Sequence, residues 1–228
     1  MASVTMRVKS IPVFQQERSY LLVGGLGGLG RAVASWMVEH GARNLIFLSR
    51  TASHAADSDS YVRDLESQGC QVQLVAGSVC ELVDVKKCVA QATTPIAGVL
   101  NISMVLRDIS LTNMTNSDWV TVVKRKVQGT WSLHNALPSD LDFFILISSC
   151  SGICGQWGQA NYAAANTYLD AFVQYRHHYG LPASVIDLGV MGDVGFVSRN
   201  PNVLRQFQNS GAFVLNEDMF LEAMTLAV

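Results

Sequence analysis

The chain has 228 residues, 49% of them hydrophobic, with a formal net charge of −2, which suits one α/β domain over 1–228 with a sizeable core. The slight acidic excess gives nucleic acid and anionic membrane no electrostatic reason to bind. No stretch approaches the roughly 18 apolar residues of a membrane span, and residues 1–19 lack the apolar core of a secretion signal.

In chain order, short apolar runs alternate with helical stretches, as expected of a parallel sheet wrapped by helices. An apolar run over 20–24 ends in glycines and predicts the first strand. Residues 29–40 predict a helix with Leu29, Val33, Trp36 and Met37 on one face, stopped by Gly41. A second strand follows at 44–48, a helix at 58–68, a third strand at 72–76 and a helix at 81–92. The fourth strand is expected at 96–102, and a long helix at 117–137 ends before Pro138. A fully apolar strand at 143–147 runs into Ser148-Ser149, a helix at 159–179 stops at Gly180, and another strand spans 183–188. Residues 194–212 have little periodicity and predict a mobile loop over the site, with room for a short helix. A last helix is expected at 217–227, with no closing strand after it. The fold class is therefore a Rossmann-like, doubly wound parallel sheet with helices on both faces.

The five cysteines, Cys70, Cys80, Cys88, Cys150 and Cys154, are odd in number and form no C-x-x-C pair. They predict neither a disulfide framework nor a metal site, and they suit the reducing cytoplasm. The loop Val23-Gly24-Gly25-Leu26-Gly27-Gly28-Leu29-Gly30 joins the first strand to the first helix. Glycines there allow a tight turn and let backbone N–H groups approach a pyrophosphate at the helix N-terminus. The second strand ends Leu48-Ser49-Arg50, with no acid before Asp57. A carboxylate at that point would accept from the ribose hydroxyls of NAD, whereas a guanidinium matches the 2′-phosphate of NADPH in charge and fork geometry. Arg31, directly after the loop, is a second candidate.

Ser148-Ser149-Cys150-Ser151-Gly152 follows the fifth strand, and Tyr162 comes thirteen residues after Ser149, in Gln159-Ala160-Asn161-Tyr162-Ala163-Ala164-Ala165-Asn166. A serine at a strand end and a tyrosine opening the next helix can face one pocket at the C-terminal edge of the sheet. Tyr162 and Asn166, four apart, share a helix face.

These segments, with Lys126-Val127-Gln128-Gly129-Thr130-Trp131, resemble the catalytic half of ketoreductase domains of polyketide synthases, within the short-chain dehydrogenase superfamily. Met104-Val105-Leu106-Arg107-Asp108 and Asp187-Leu188-Gly189-Val190-Met191 are similar to the fungal, highly reducing branch. The resemblance implies NADPH-dependent reduction of a β-ketoacyl thioester, held by the phosphopantetheine of an acyl-carrier protein, beside other synthase domains. It implies a catalytic set of Tyr162, Ser149, Lys126 and Asn166, with lysine drawn from the long preceding helix. There Lys126 would lower the Tyr162 pKa and hold the nicotinamide ribose. Ser149 would donate to the substrate carbonyl. The implied cofactor set is Gly24, Gly25, Leu26, Gly28, Leu29 and Gly30, Ser49 and Arg50, Ser78 and Val79, Asn101, Ile102 and Ser103, and Gly189 and Val190. Gly77-Ser78-Val79 and Asn101-Ile102-Ser103 depart from the family's usual turns. In the family an L-D-D motif marks one product configuration, and a tryptophan eight before the tyrosine the other. Leu106-Arg107-Asp108 keeps part of the first and Cys154 replaces the second, which leans to the D-alcohol. The alternatives are a non-catalytic remnant that binds cofactor without turnover, and a free-standing dehydrogenase of small ketones.

Overall fold

A computed structural model describes residues 12–51 and 56–228. Side chains 56–58 are not described either, so the segment before Pro12 and the Asp57 side chain named above lie outside it. Six parallel strands form the central sheet: β1 (Ser19–Val23), β2 (Asn44–Ser49), β3 (Gln71–Ala76), β4 (Ile96–Asn101), β5 (Phe143–Ser149) and β6 (Ser184–Leu188). Their order is β3-β2-β1-β4-β5-β6, as expected of a doubly wound fold. The order reverses between β1 and β4, where Val23 lies in register with Asn101. Loops leaving the strand ends diverge at such a switch point and open a crevice.

Helices α1 (Gly28–Glu39), α2 (Ala56–Ser67), α3 (Leu82–Ala90), α4 (Asn116–Ala136), α5 (Ser151–Cys154), α6 (Ala160–His178), α7 (Pro201–Asn209) and α8 (Glu217–Ala227) complete the chain, with strands β7 (Val190–Met191) and β8 (Val214–Leu215). The strands are apolar on both sides because the sheet is covered on both faces. Tyr20, Leu22, Leu45 and Phe47 pack with Val33, Trp36 and Met37 of α1 and Phe220 and Met224 of α8. Their strand neighbours Leu21, Val23, Ile46 and Leu48 pack on the other side, with Val85 of α3, Leu133 of α4 and Phe172 of α6.

Predicted and observed boundaries of the long elements agree within about two residues. Helix α7 fills the place left for a short helix, while α5, β7 and β8 were not foreseen. Residues 194–212 contain α7, with Pro201 in its first turn, where the missing N–H breaks no helical bond. The short helix α5 follows β5 directly, and β7 pairs with β8 through two register positions. Among the described residues, no helix is long and apolar enough to cross a membrane.

Candidate active site

The glycine loop shows why its residues are small. A Cβ on Gly25 would lie 2.6 Å from the Phe47 ring, and one on Gly30 would lie 2.4 Å from Gly25 Cα. These two glycines let α1 pack against the sheet. Gly24 has φ +79°, a conformation that disfavours other residues. The first-turn amides of α1 have no intrahelical acceptor, and Gly28, Leu29 and Gly30 line a cavity of about 370 Å³ at the switch point.

Gly24, Ser49, Arg50, Val79, Ile102 and Ser103 also line this cavity. Gly25, Leu26, Ser78 and Asn101 do not. Leu26 offers its carbonyl to Arg31 Nε at 3.0 Å, and the Ser78 amide donates to Asp84 Oδ2 at 2.8 Å. Asn101 is buried, and its Oδ1 accepts from the Ser103 amide at 3.1 Å and hydroxyl at 2.6 Å. That turn packs tightly, since a Cβ on Gly24 would come 3.1 Å from Ser103 Cα. Gly189 and Val190 line a second cavity instead. Arg31 is also not at the first cavity: its guanidinium lies 5.0 Å from the Tyr61 ring centroid. Arg125 and Arg199 line it, alongside Arg50. A glycine cradle rimmed by three guanidinium groups fits a polyanionic dinucleotide.

The second cavity, of about 420 Å³, is lined by Lys126, Ser149 and Tyr162, with apolar walls from Leu106, Leu188 and Met191. Leu29, Ile102, Met104 and Phe196 line both cavities, so the two adjoin. Val194, Val197, Val203, Gln206 and Phe207 bring the 194–212 segment over the second.

Tyr162 opens α6, is 8% exposed, and its hydroxyl donates to Met104 Sδ at 3.4 Å. Burial pushes its pKa above 10.0, while the Asn166 and Ser149 side chains pull it down. The shift therefore runs opposite to the expected lowering by Lys126. Lys126 is 3% exposed, and its ammonium donates to the Ile147 carbonyl. Burial lowers its pKa from 10.5 to about 8. Ser149 Oγ accepts from the Ser151 amide at 3.2 Å. Asn166, four residues on from Tyr162 in α6, lines neither cavity. Its Nδ2 donates to the Tyr162 carbonyl at 2.8 Å, and its buried Oδ1 has no hydrogen-bond partner among the described residues. Ser149, Lys126 and Tyr162 thus meet in one cavity, with Asn166 one helical turn on.

Sequence reasoning missed Arg125, Arg199 and Met104 as lining residues, and it missed Asn161. Asn161 is fully buried and makes three hydrogen bonds, to Arg107, Asp118 and Tyr162. The available signal was a second polar amide next to Tyr162 at the start of a helix whose N-cap, Gln159, makes no side-chain cap.

The family model for the KR domain matches residues 18–193. The chain is 65% identical over 217 residues to a highly reducing polyketide synthase of Purpureocillium lilacinum, covering 95% of this chain and 9% of that protein. It is 55% identical over 228 residues to a highly reducing polyketide synthase of Glarea lozoyensis, covering 100% of this chain and 9% of that protein. A solved structure described as an A-type ketoreductase from a modular polyketide synthase superposes with a TM-score of 0.88 at 29% identity, covering 94% of this chain and 46% of that one. The chain belongs to the KR domain family of polyketide synthases, ketoreductase-type oxidoreductases of the short-chain dehydrogenase superfamily.

Proposed function

We propose that residues 1–228 form one catalytic unit that reduces a β-ketoacyl thioester on an acyl-carrier protein to the β-hydroxyacyl thioester, with NADPH as reductant, during polyketide assembly. Other synthase domains are its neighbours, and the cytosol is the compartment we assign, because five free cysteines suit a reducing milieu. The observation that carries the reading is the shared wall between the two cavities, at Leu29, Ile102, Met104 and Phe196. One cavity has the glycines and cations that suit a dinucleotide, and the other has a buried phenol, a serine and a lysine.

Bound NADPH supplies the hydride. The glycine loop would hold its pyrophosphate, Arg50 its 2′-phosphate and Lys126 its nicotinamide ribose. Ser149 donates a hydrogen bond to the ketone oxygen. Tyr162 gives its proton to that oxygen as negative charge develops there. Like an ordinary phenol, Tyr162 holds its proton at neutral pH and can act as the acid, and burial shifts it in the same direction. Asn166 ties the Tyr162 carbonyl and braces the helix turn that carries the phenol. The apolar walls exclude water and take the acyl chain.

The test is turnover of a soluble β-ketoacyl thioester with NADPH or NADH, in the parent and in Arg50→Ala. Turnover is expected with NADPH, with much weaker binding of NADH. Arg50→Ala should weaken NADPH by about tenfold or more and leave NADH nearly unchanged. NADPH binding without turnover would overturn the catalytic reading in favour of a remnant. Equal losses for both cofactors would overturn the role of Arg50.

A further inference from the structure

Two stretches distant in sequence meet beside the Tyr162 hydroxyl. One is 104–109, which follows β4, and the other is 158–162, which opens α6. The Ile109 amide donates to the Gly158 carbonyl at 2.8 Å, and Gln159 Nε2 donates to Asp108 Oδ2 at 3.0 Å. Met104, Leu106 and Asp108 line the second cavity, whereas Val105 and Arg107 do not. That alternation is the signature of an extended segment with one face toward the cavity.

Asn161 ties this wall to two helices. Its Nδ2 donates to the Arg107 carbonyl at 3.1 Å and to the Asp118 carbonyl, in the first turn of α4, at 3.2 Å. Its Oδ1 accepts from the Tyr162 amide at 2.7 Å. With 0% exposure, both donors and the acceptor are used inside the protein. A buried amide with every bond made has one favourable orientation, and losing the bonds strands carbonyls away from water.

We infer that Asn161 is a positioning residue that fixes the 104–109 wall against Tyr162, and so sets where the acyl chain lies relative to the phenol. This rests on the ketoreductase reading of the same cavity. Asn161 lines neither cavity and acts through the Arg107 backbone. Both amide donors are essential to that role.

Two variants separate the parts. Asn161→Ala removes all three bonds. Asn161→Asp keeps the acceptor for the Tyr162 amide and presents an oxygen to two carbonyls. Each is compared with the parent by amide hydrogen exchange over 104–109, by KM and kcat for a β-ketoacyl thioester, and by the enantiomeric ratio of the alcohol. Both variants should show faster exchange at 104–109, with exchange in β1, β4 and β5 unchanged. KM should rise on the order of tenfold with kcat falling less than about threefold, and the enantiomeric ratio should fall. Parent-like exchange and enantiomeric ratio in both variants would overturn the inference. So would an Asp variant that behaves like the parent, since the donors would then be idle. If Asn161→Ala does not fold, Asn161→Ser is read by the same criteria. A parent that never turns over would count against the ketoreductase reading, and the exchange result still decides whether Asn161 holds the wall.

Discussion

Lys126 carries a positive charge at 3% exposure with no carboxylate partner among the described residues, so replacing it with methionine should stabilise the protein while damaging its function. Burial lowers the ammonium pKa from 10.5 to about 8. At about 1.4 kcal/mol per unit, that drop corresponds to about 3 kcal/mol of unfavourable burial at neutral pH. The bond to the Ile147 carbonyl offsets on the order of 1 to 2 kcal/mol. Lys126→Met keeps the length of the side chain and removes both contributions, for a net gain on the order of 1 to 2 kcal/mol. The sign with pH follows from proton counting. The unfolded chain keeps this proton up to pH 10.5, whereas the folded chain releases it near pH 8, so the parent gains stability between those values. The advantage of Lys126→Met should therefore shrink by roughly 1 kcal/mol between pH 7 and pH 9. Cys70 and Cys88, whose thiols burial raises to about 11, act with the opposite sign above pH 9. They are present in both proteins and cancel in the difference. The assay is denaturant unfolding of parent and variant at the two pH values. A variant less stable than the parent at pH 7, or a difference that does not change with pH, would refute the burial cost.

Three further outcomes are expected. Tyr162→Phe should keep the fold and cofactor binding and lose about 100- to 10,000-fold in reductase rate; a rate within a few-fold of the parent would remove its acid role. Gly30→Ala, with its new Cβ placed 2.4 Å from Gly25 Cα, should lower stability by about 3 kcal/mol and Tm by about 6 °C or more, and an unchanged Tm would show that the loop yields freely. Chiral analysis of the alcohol from a simple β-ketoacyl thioester should give the D-configured product, because Asp108 lines the second cavity and Cys154 stands in the tryptophan position. The solved relative described as A-type makes this a sharp test, and a clean L-alcohol would reverse the assignment.

The sheet was legible in the sequence because β1, β2 and β5 are short apolar runs that end at glycine or serine, as expected of central strands covered on both faces, while β3, β4 and β6 are mixed runs placed by the helices between them. The long helices were legible because Gly41, Pro138 and Gly180 end them. What sequence could not separate was the basic run at 124–126. Successive helical residues point about 100° apart, so the run divides three ways. Lys124 is exposed and pairs with Glu81 at 2.8 Å, Arg125 lines the first cavity, and Lys126 is buried at the second. Strands of two residues such as β7 and β8 have no period to detect. Asn161 was invisible for another reason: a polar residue in a first helical turn reads as solvated, and it is buried here only because α4 and the 104–109 segment close over it. The phenol shift was misjudged because burial outweighs the neighbouring side chains around Tyr162.

The most direct measurement of the proposed reaction is isotope transfer. The parent chain would be mixed with NADPH deuterated at the hydride position and a β-ketoacyl thioester, and the product analysed by mass spectrometry. Deuterium is expected on the β-carbon of the hydroxyacyl product from the parent, and Tyr162→Phe should yield on the order of a hundredth of it or less. Cofactor binding by the parent with no labelled alcohol would contradict the assignment of this cavity as a ketoreductase site.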